Sequence, residues 1–191
     1  MIPLKISVDL DDTLADFMGV ATRILGPGSV SGVHSLKAMY PGREAEVQAL
    51  LEDADLYRSL PVILGAQEAL REMVSRFGCE LAYVTARPIG LSVVTAAWLE
   101  RNGFPPGFVF CVGRTNGSKA ERIKKLEVKI AIDDYPPALD EITLLTEAKA
   151  VVFSRPWNLE YKDLPRIEAW DRATEVLESL IEEQEDDLPN L

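Results

Sequence analysis

Histidine is almost missing from this sequence: His34 is the single one among 191 residues, and Cys79 and Cys111 are the two cysteines. One histidine cannot build a multi-histidine zinc site, and two distant cysteines cannot complete a four-ligand one. A serine–histidine–aspartate device would have to use His34, which lies in a glycine-rich, loop-like stretch. Positive charge is also scarce. Twenty Lys and Arg against 31 Asp and Glu give a net charge of −11, which argues against nonspecific binding to duplex nucleic acid. No apolar run approaches the ~18 residues of a membrane helix. The opening stretch Met1 to Val8 meets Asp9 too early for the apolar region and cleavage site of a signal peptide. Both cysteines sit in apolar segments far apart, so the expectation is two reduced thiols in a cytoplasmic protein. Any metal here must be held by carboxylates, which points to a hard cation such as magnesium.

What the sequence does have is alternation. Five short runs rich in Val and Ile, at Leu4–Leu10, Glu80–Thr85, Phe108–Val112, Val128–Ile132 and Ala150–Phe153, read as strands buried on both faces. Helical spacing fills the intervals. Ala66, Ala69, Leu70, Met73, Val74 and Phe77 share one face, and Gly78 stands where a capping glycine belongs. Leu91, Val94 and Trp98 mark a further helix ended by Asn102-Gly103, and residues 118–126 and 137–147 give two more. Residues 168–185 are amphipathic through Trp170, Ala173, Leu177, Leu180 and Ile181, with acids on the other face. This order predicts an α/β fold with an open parallel sheet and right-handed crossovers. The interval from Leu14 to Pro61 has no convincing strand and is too long for an ordinary loop. Helical spacing at 15–25 and over Glu44–Asp53 predicts a small helical insert there. The expected division is a core of residues 1–14 and 61–191, with an insert over 15–60.

Ligands of open α/β sheets bind at the carboxyl ends of the strands. Strand one runs into Asp9-Leu10-Asp11-Asp12-Thr13. In extended chain Asp9 and Asp11 point to one side, and two carboxylates that close need a cation or a shared proton. An acidic turn or a helix cap would explain the same residues, and a calcium loop is opposed by Leu14 at the position of its glycine. Strand two ends in Thr85-Ala86-Arg87-Pro88, where a hydroxyl and loop amides can receive an anion or simply cap a helix. Lys119 begins a helix, where the dipole disfavours a cation unless an anionic site is near; a solvated lysine is the alternative. Strand four ends in Asp133-Asp134, costly after an apolar strand unless a cation holds them. Each piece alone is ordinary. Four of them in order, each at a strand's carboxyl end, are a strong signal of one site.

Asp9-x-Asp11-x-Thr13, Thr85, Lys119 and Asp133-Asp134 resemble the four motifs of the haloacid-dehalogenase-like hydrolases. The resemblance covers roughly residues 1–16 and 60–165. It implies a Rossmann-like sheet, magnesium and covalent phosphoryl transfer, and it makes the insert a cap of that superfamily. A narrower similarity is to the 5′(3′)-deoxyribonucleotidase-like branch. It rests on Val8–Asp11 with Leu14–Phe17, Leu56–Pro61 leading to Gly65-Ala66, Thr85–Pro88, Ile132–Asp134 and Phe153–Asn158. Asp12-Thr13 stands where that branch often has Gly-Val.

On this resemblance Asp9 is the nucleophile and Asp11 the acid that protonates the leaving alkoxide and later activates water. Magnesium would be held by Asp9, the Asp11 main-chain carbonyl and Asp133, with Asp134 just outside. Thr85, Ala86 and Lys119 would bind the phosphate. Phe17, Tyr57, Arg87 and Trp157 are possible contacts to the leaving group; Phe17, Tyr40, Tyr57 and Trp157 could stack on a base or pack the cap on the core, and Arg87 and Arg155 could steer an anionic substrate or form surface ion pairs. The expected function is a magnesium-dependent phosphatase of small phosphomonoesters, foremost (deoxy)nucleoside monophosphates. A sugar phosphate or other metabolite as substrate, a phosphate-ligand-binding module without turnover, and a nucleic-acid end phosphatase are the alternatives. No stable nucleic-acid or membrane partner is expected.

Overall fold

The computed structural model describes residues 3–28, 33, 35–113 and 119–186, with side chains to residue 183. His34 and residues 114–118, the last of which opens the helix expected over 118–126, lie outside them.

Strand β1 (Lys5–Val8) is followed by four helices, α1 (Phe17–Leu25), α2 (Leu36–Met39), α3 (Glu44–Glu52) and α4 (Ala54–Ser59). Then come α5 (Ala66–Phe77), β2 (Glu80–Thr85), α6 (Ser92–Arg101), β3 (Gly107–Cys111), α7 (Lys119–Leu126), β4 (Ile130–Asp133), α8 (Pro136–Leu145) and β5 (Lys149–Phe153). A two-residue strand β6 (Arg166–Ile167) and helix α9 (Ala173–Asp186) complete the order. The strands form one sheet in the order β3-β2-β1-β4-β5-β6, every pair parallel. The protein is therefore an α/β fold of the doubly wound type. Its switch point lies at β1, where the chain turns from building one side of the sheet to building the other.

All five expected strands are present within a residue or two of their expected ends. Helix α5 ends as its pattern requires, with Gly78 in the left-handed region at φ 61°. Pro136 opens α8 at the position where a missing N–H costs nothing. Strand β6 and the short helices α2 and α4 were not legible, because two to six residues carry too little periodicity.

Helices α1–α4 do not stand apart. Phe17, Leu36, Tyr40, Val47, Leu51 and Tyr57 belong to the same apolar cluster as Ile6, Val8 and Ile132 of the sheet. Trp98 of α6 joins them by donating its indole N–H to the carbonyl of Leu60 at 2.9 Å. A second cluster, around Ile123, Leu139, Ile142 and Val152, holds α7 and α8 on the sheet. No helix among the described residues is long and apolar enough to cross a membrane.

The register decides where the site falls. Val8 is level with Tyr83 on one side and Ile132 on the other. Asp9 just after β1, Thr85 as the last residue of β2 and Asp133 as the last of β4 therefore lie along one edge, the carboxyl end of the sheet.

Candidate active site

Three carboxylates meet at that edge. Side-chain oxygens of Asp9, Asp133 and Asp134 all lie within 4.8 Å of one another, and all three residues are buried. Asp9 is anchored by its own main chain, whose N–H donates to the Ile132 carbonyl at 2.9 Å. Lys119, first residue of α7, reaches between them: Nζ donates to Asp9 Oδ1 and to Asp133 Oδ2, both at 2.7 Å. Its side chain is only 10% exposed, so the solvated reading of this lysine is overturned. A charge buried this well needs partners, and two carboxylates supply them.

Asp134 is held by neutral donors. Thr13 Oγ1 donates to one oxygen at 3.2 Å and Trp157 Nε1 to the other at 2.9 Å. Asn158 Nδ2 fixes the main chain beneath by donating to the Asp134 carbonyl at 2.7 Å. Electrostatics follow from this crowding. Burial, reinforced by Asp133 and Asp11 and opposed by Lys119, pushes the Asp9 carboxyl from 3.8 up to about 7. Burial, then Asp133 and Asp9, holds Asp134 well above the usual carboxylate range. For Lys119 burial works against the charged form, but Asp133 and Asp9 outweigh it and keep the ammonium protonated.

Asp11 does not join this cluster. Its carboxylate is gripped by Arg87, whose Nη2 lies 2.6 Å from Oδ1 and whose Nε lies 3.1 Å from both oxygens. The Arg87 side chain is fully buried while that of Asp11 keeps 22% exposure. The expectation of Arg87 as a surface ion pair is therefore corrected, because its guanidinium is buried against its partner. Thr85 accepts from the Arg87 main-chain N–H at 3.2 Å and is buried, and Ala86 follows it on the same wall.

A cavity of about 590 Å³ opens above these groups. Asp9, Asp11, Thr85, Ala86 and Lys119 line its floor, and Phe17, Met18, Leu36 and Leu51 from the helices after β1 line its roof. Of the four residues read as leaving-group contacts, Phe17 and Arg87 line this space. Tyr57 stacks on Phe17 at 5.7 Å and covers Arg87 at 4.6 Å, so among the described residues it packs helix against core. Trp157 is engaged by Asp134.

Asp12 is a further residue of the site, one to which its sequence pattern assigns no role. This residue adopts φ 65°, a conformation Asp tolerates better than most residues do and Gly takes freely. Its Oδ1 accepts from the Met18 main-chain N–H at 2.8 Å, and burial raises its carboxyl well above the ordinary value. Arg155 Nε donates to the Asp12 carbonyl, which replaces the surface pair expected for Arg155. The signal available was the glycine that the resembled motif carries at this position.

Comparison with known proteins agrees with the geometry. Residues 2–183 match the family described as 5′ nucleotidase, deoxy (pyrimidine), cytosolic type C protein. A protein of Oceanobacillus iheyensis named "putative nucleotidase" is 29% identical over 181 residues, covering 87% of this chain and 95% of that protein. A "putative 5′(3′)-deoxyribonucleotidase" of Staphylococcus epidermidis is 26% identical over 176 residues, covering 87% and 91%. Among solved structures, a "putative phosphatase" from Clostridium difficile superposes with a TM-score of 0.63 at 16% identity, covering 92% of this chain and 98% of that one. A "putative beta-phosphoglucomutase" from Thermotoga maritima gives 0.61 at 16% identity, covering 92% and 99%. At such identities these two support the fold alone. With the family match spanning nearly the whole chain, the protein belongs to the cytosolic type C 5′-nucleotidase family of haloacid-dehalogenase-like hydrolases and is an enzyme of the phosphatase class.

Proposed function

We propose that the enzyme is a magnesium-dependent 5′(3′)-nucleotidase that hydrolyses (deoxy)nucleoside monophosphates through an aspartyl-phosphate. The observation that carries this is the juxtaposition of Asp9, bonded to Lys119, with a cavity of about 590 Å³ that the helices after β1 line with Phe17, Met18, Leu36 and Leu51 together with Ser35 and Lys37. A phosphate on the floor would meet a nucleophile and a buried cation. A nucleoside above it would meet Phe17, Met18, Leu36 and Leu51. In this reading residues 15–60 act as the cap that selects the leaving group.

The donor set fits a hard divalent cation. With all three ionised, the buried carboxylates and one ammonium would leave two negative charges uncompensated, which a divalent cation would balance in place of the protons that Asp9 and Asp134 otherwise retain, and the carboxylate donors are oxygens. Asp9, Asp133 and the Asp11 main-chain carbonyl would hold magnesium, with Asp134 directing it from its hydrogen bonds to Thr13 and Trp157. When bound, the cation would offset charge on nucleophile and phosphate.

The chain's own residues then divide the work. Asp9 attacks phosphorus as the ester oxygen departs, and water later releases the phosphate from Asp9. Asp11 gives a proton to the departing alkoxide and takes one from that water. Thr85 Oγ1, the amide of Ala86 and Lys119 bind the non-bridging oxygens, where charge gathers.

The test is phosphate release from nucleoside 5′- and 3′-monophosphates and sugar phosphates, with magnesium and with EDTA, beside Asp9→Asn. Magnesium-dependent turnover of nucleotides that is lost in Asp9→Asn supports the proposal. Turnover confined to sugar phosphates would discard the nucleotide and keep the chemistry. No release from any ester by folded, magnesium-loaded protein would overturn both.

A further inference from the structure

Arginine 87 is an expensive residue to place where it is. It belongs to the Thr85-Ala86-Arg87-Pro88 turn after β2, and its long side chain is among the largest that are fully buried. Removing a guanidinium from water costs several kcal/mol unless its donors are matched. Here they are. Nη2 and Nε grip Asp11, Nη1 donates to Thr95 Oγ1 of α6 at 3.2 Å, and the flat faces are covered by Tyr57 of α4 at 4.6 Å and Trp98 of α6 at 5.9 Å. The guanidinium is thus fixed by two helices from different parts of the chain.

Burial is distributed unequally over the pair. The Arg87 side chain exposes nothing, whereas the Asp11 carboxylate keeps an open edge toward the cavity. The fork also closes unevenly: Oδ1 receives Nη2 at 2.6 Å and Nε at 3.1 Å, and Oδ2 receives only the 3.1 Å contact. Oδ1 thus takes two bonds from the guanidinium and Oδ2 one, on a side chain that keeps 22% exposure and lines the cavity. A planar fork fixes the orientation of a carboxylate as a single ammonium cannot.

We infer that Arg87 is the positioning residue of the acid step: it touches no substrate and acts by aiming Asp11 at the leaving-group oxygen. The inference rests on the phosphatase reading above. In the step concerned, the bond from Asp9 oxygen to phosphorus forms as the bond from phosphorus to the ester oxygen breaks. The proton that Asp11 has taken from the hydrolytic water of the preceding turnover passes to that oxygen, which leaves as an alcohol, and Asp11 returns to the ionised form that pairs with Arg87. An ester whose leaving group is stable as an anion needs no such proton. That difference separates aiming from mere structural support.

The experiment compares kcat/KM, which reports the steps through leaving-group departure, for a nucleoside 5′-monophosphate and for p-nitrophenyl phosphate. Proton transfer of this kind contributes roughly 10²- to 10⁴-fold, so Arg87→Lys should lower the ratio of the two values by about tenfold or more. In an Asp11→Asn background, the same substitution should cost less than about threefold, since the group it aims is gone. Equal losses on both esters would overturn the inference, as would an Arg87→Lys cost undiminished by Asp11→Asn. Where Arg87→Lys does not fold, Thr95→Val removes the hydroxyl that receives Nη1 and keeps the volume. It should shift the ratio in the same direction, and an unchanged ratio would count against aiming. Should the wild type ignore nucleotides, the nucleotide reading fails on its own. The comparison then runs with whichever alkyl phosphate the wild type does hydrolyse.

Discussion

Two buried knots of charge lie on either side of the Val8–Thr13 turn, and they are built to opposite plans. In the Asp9–Lys119–Asp133–Asp134 knot negative charge is in excess, hydrogen bonds are shared among three carboxylates, and Asp9 is pushed up to about 7. In the Asp11–Arg87 knot one carboxylate meets one guanidinium in a fork, under two aromatic rings. Physically the first is an incomplete ion pair and the second a complete one. A site with surplus negative charge in low dielectric is one that a cation or an anion-bearing ligand with its cation can complete. A matched fork asks for nothing more and holds a side chain still. The neighbouring knots thus suit complementary tasks, charge neutralisation on one side and aim on the other.

The largest effect should come from Asp9→Asn. It keeps the volume and an oxygen that can accept from Lys119, yet it removes the nucleophile. Turnover should fall by at least ~10³-fold in the phosphate-release assay, with thermal stability of the metal-free protein undiminished because a buried charge has gone. A large loss of stability would show instead that the Asp9–Lys119 pair is chiefly structural.

Next come Lys119→Met and Arg87→Met, made as a pair. Each breaks a buried ion pair, for which about 3–5 kcal/mol is the expected scale in chemical denaturation. Recovery should differ. Magnesium should restore part of the loss in Lys119→Met, where a carboxylate surplus grows, and little in Arg87→Met, where the stranded Asp11 has its open edge. Equal recovery in both would erase the distinction between the knots.

Much of the first knot was legible in the sequence, and little of the second. Asp9, Asp133 and Asp134 were readable because they stand at the carboxyl ends of strands, and Lys119 because it opens the helix that follows β3; both positions are set by local patterning. Arg87 stands in one of the same turns, but its fate depends on Tyr57, Thr95 and Trp98, which come from α4 and α6. Burial of a long cation is a tertiary fact, and base rates for exposed arginine point the other way. Asp12 was missed for a related reason: a left-handed φ is invisible until the turn is built. The fold class and all five longer strands came from periodicity. The short helices α2 and α4, whose side chains share the core cluster, needed the packing itself to be found.

A smaller effect should appear in the pH dependence of metal-free stability. The Asp9 carboxyl moves from 3.8 in the unfolded chain to about 7 in the folded one. Between those values the folded state holds a proton that the unfolded state has released. This group's contribution therefore weakens as pH rises across that window and levels off above it. A cation competes with that proton, so the thermal shift given by a fixed magnesium concentration should be larger at about pH 8 than at about pH 5. A shift independent of pH would separate the cation from Asp9.

The smallest effect should come from Trp157→Phe. The ring still packs against the apolar cluster, but the 2.9 Å bond from Nε1 to Asp134 is lost. A single hydrogen bond to a buried carboxyl contributes about 1–3 kcal/mol, so denaturant midpoints should move modestly. Magnesium affinity should fall more noticeably, by about 10- to 100-fold, if Asp134 directs the cation from its second-tier position. Nothing comparable should happen to the ratio of alkyl to p-nitrophenyl phosphate turnover at saturating magnesium, because the bond that is lost goes to Asp134 of the first knot. A variant that altered that ratio while leaving magnesium affinity intact would mean that the two knots are mechanically one.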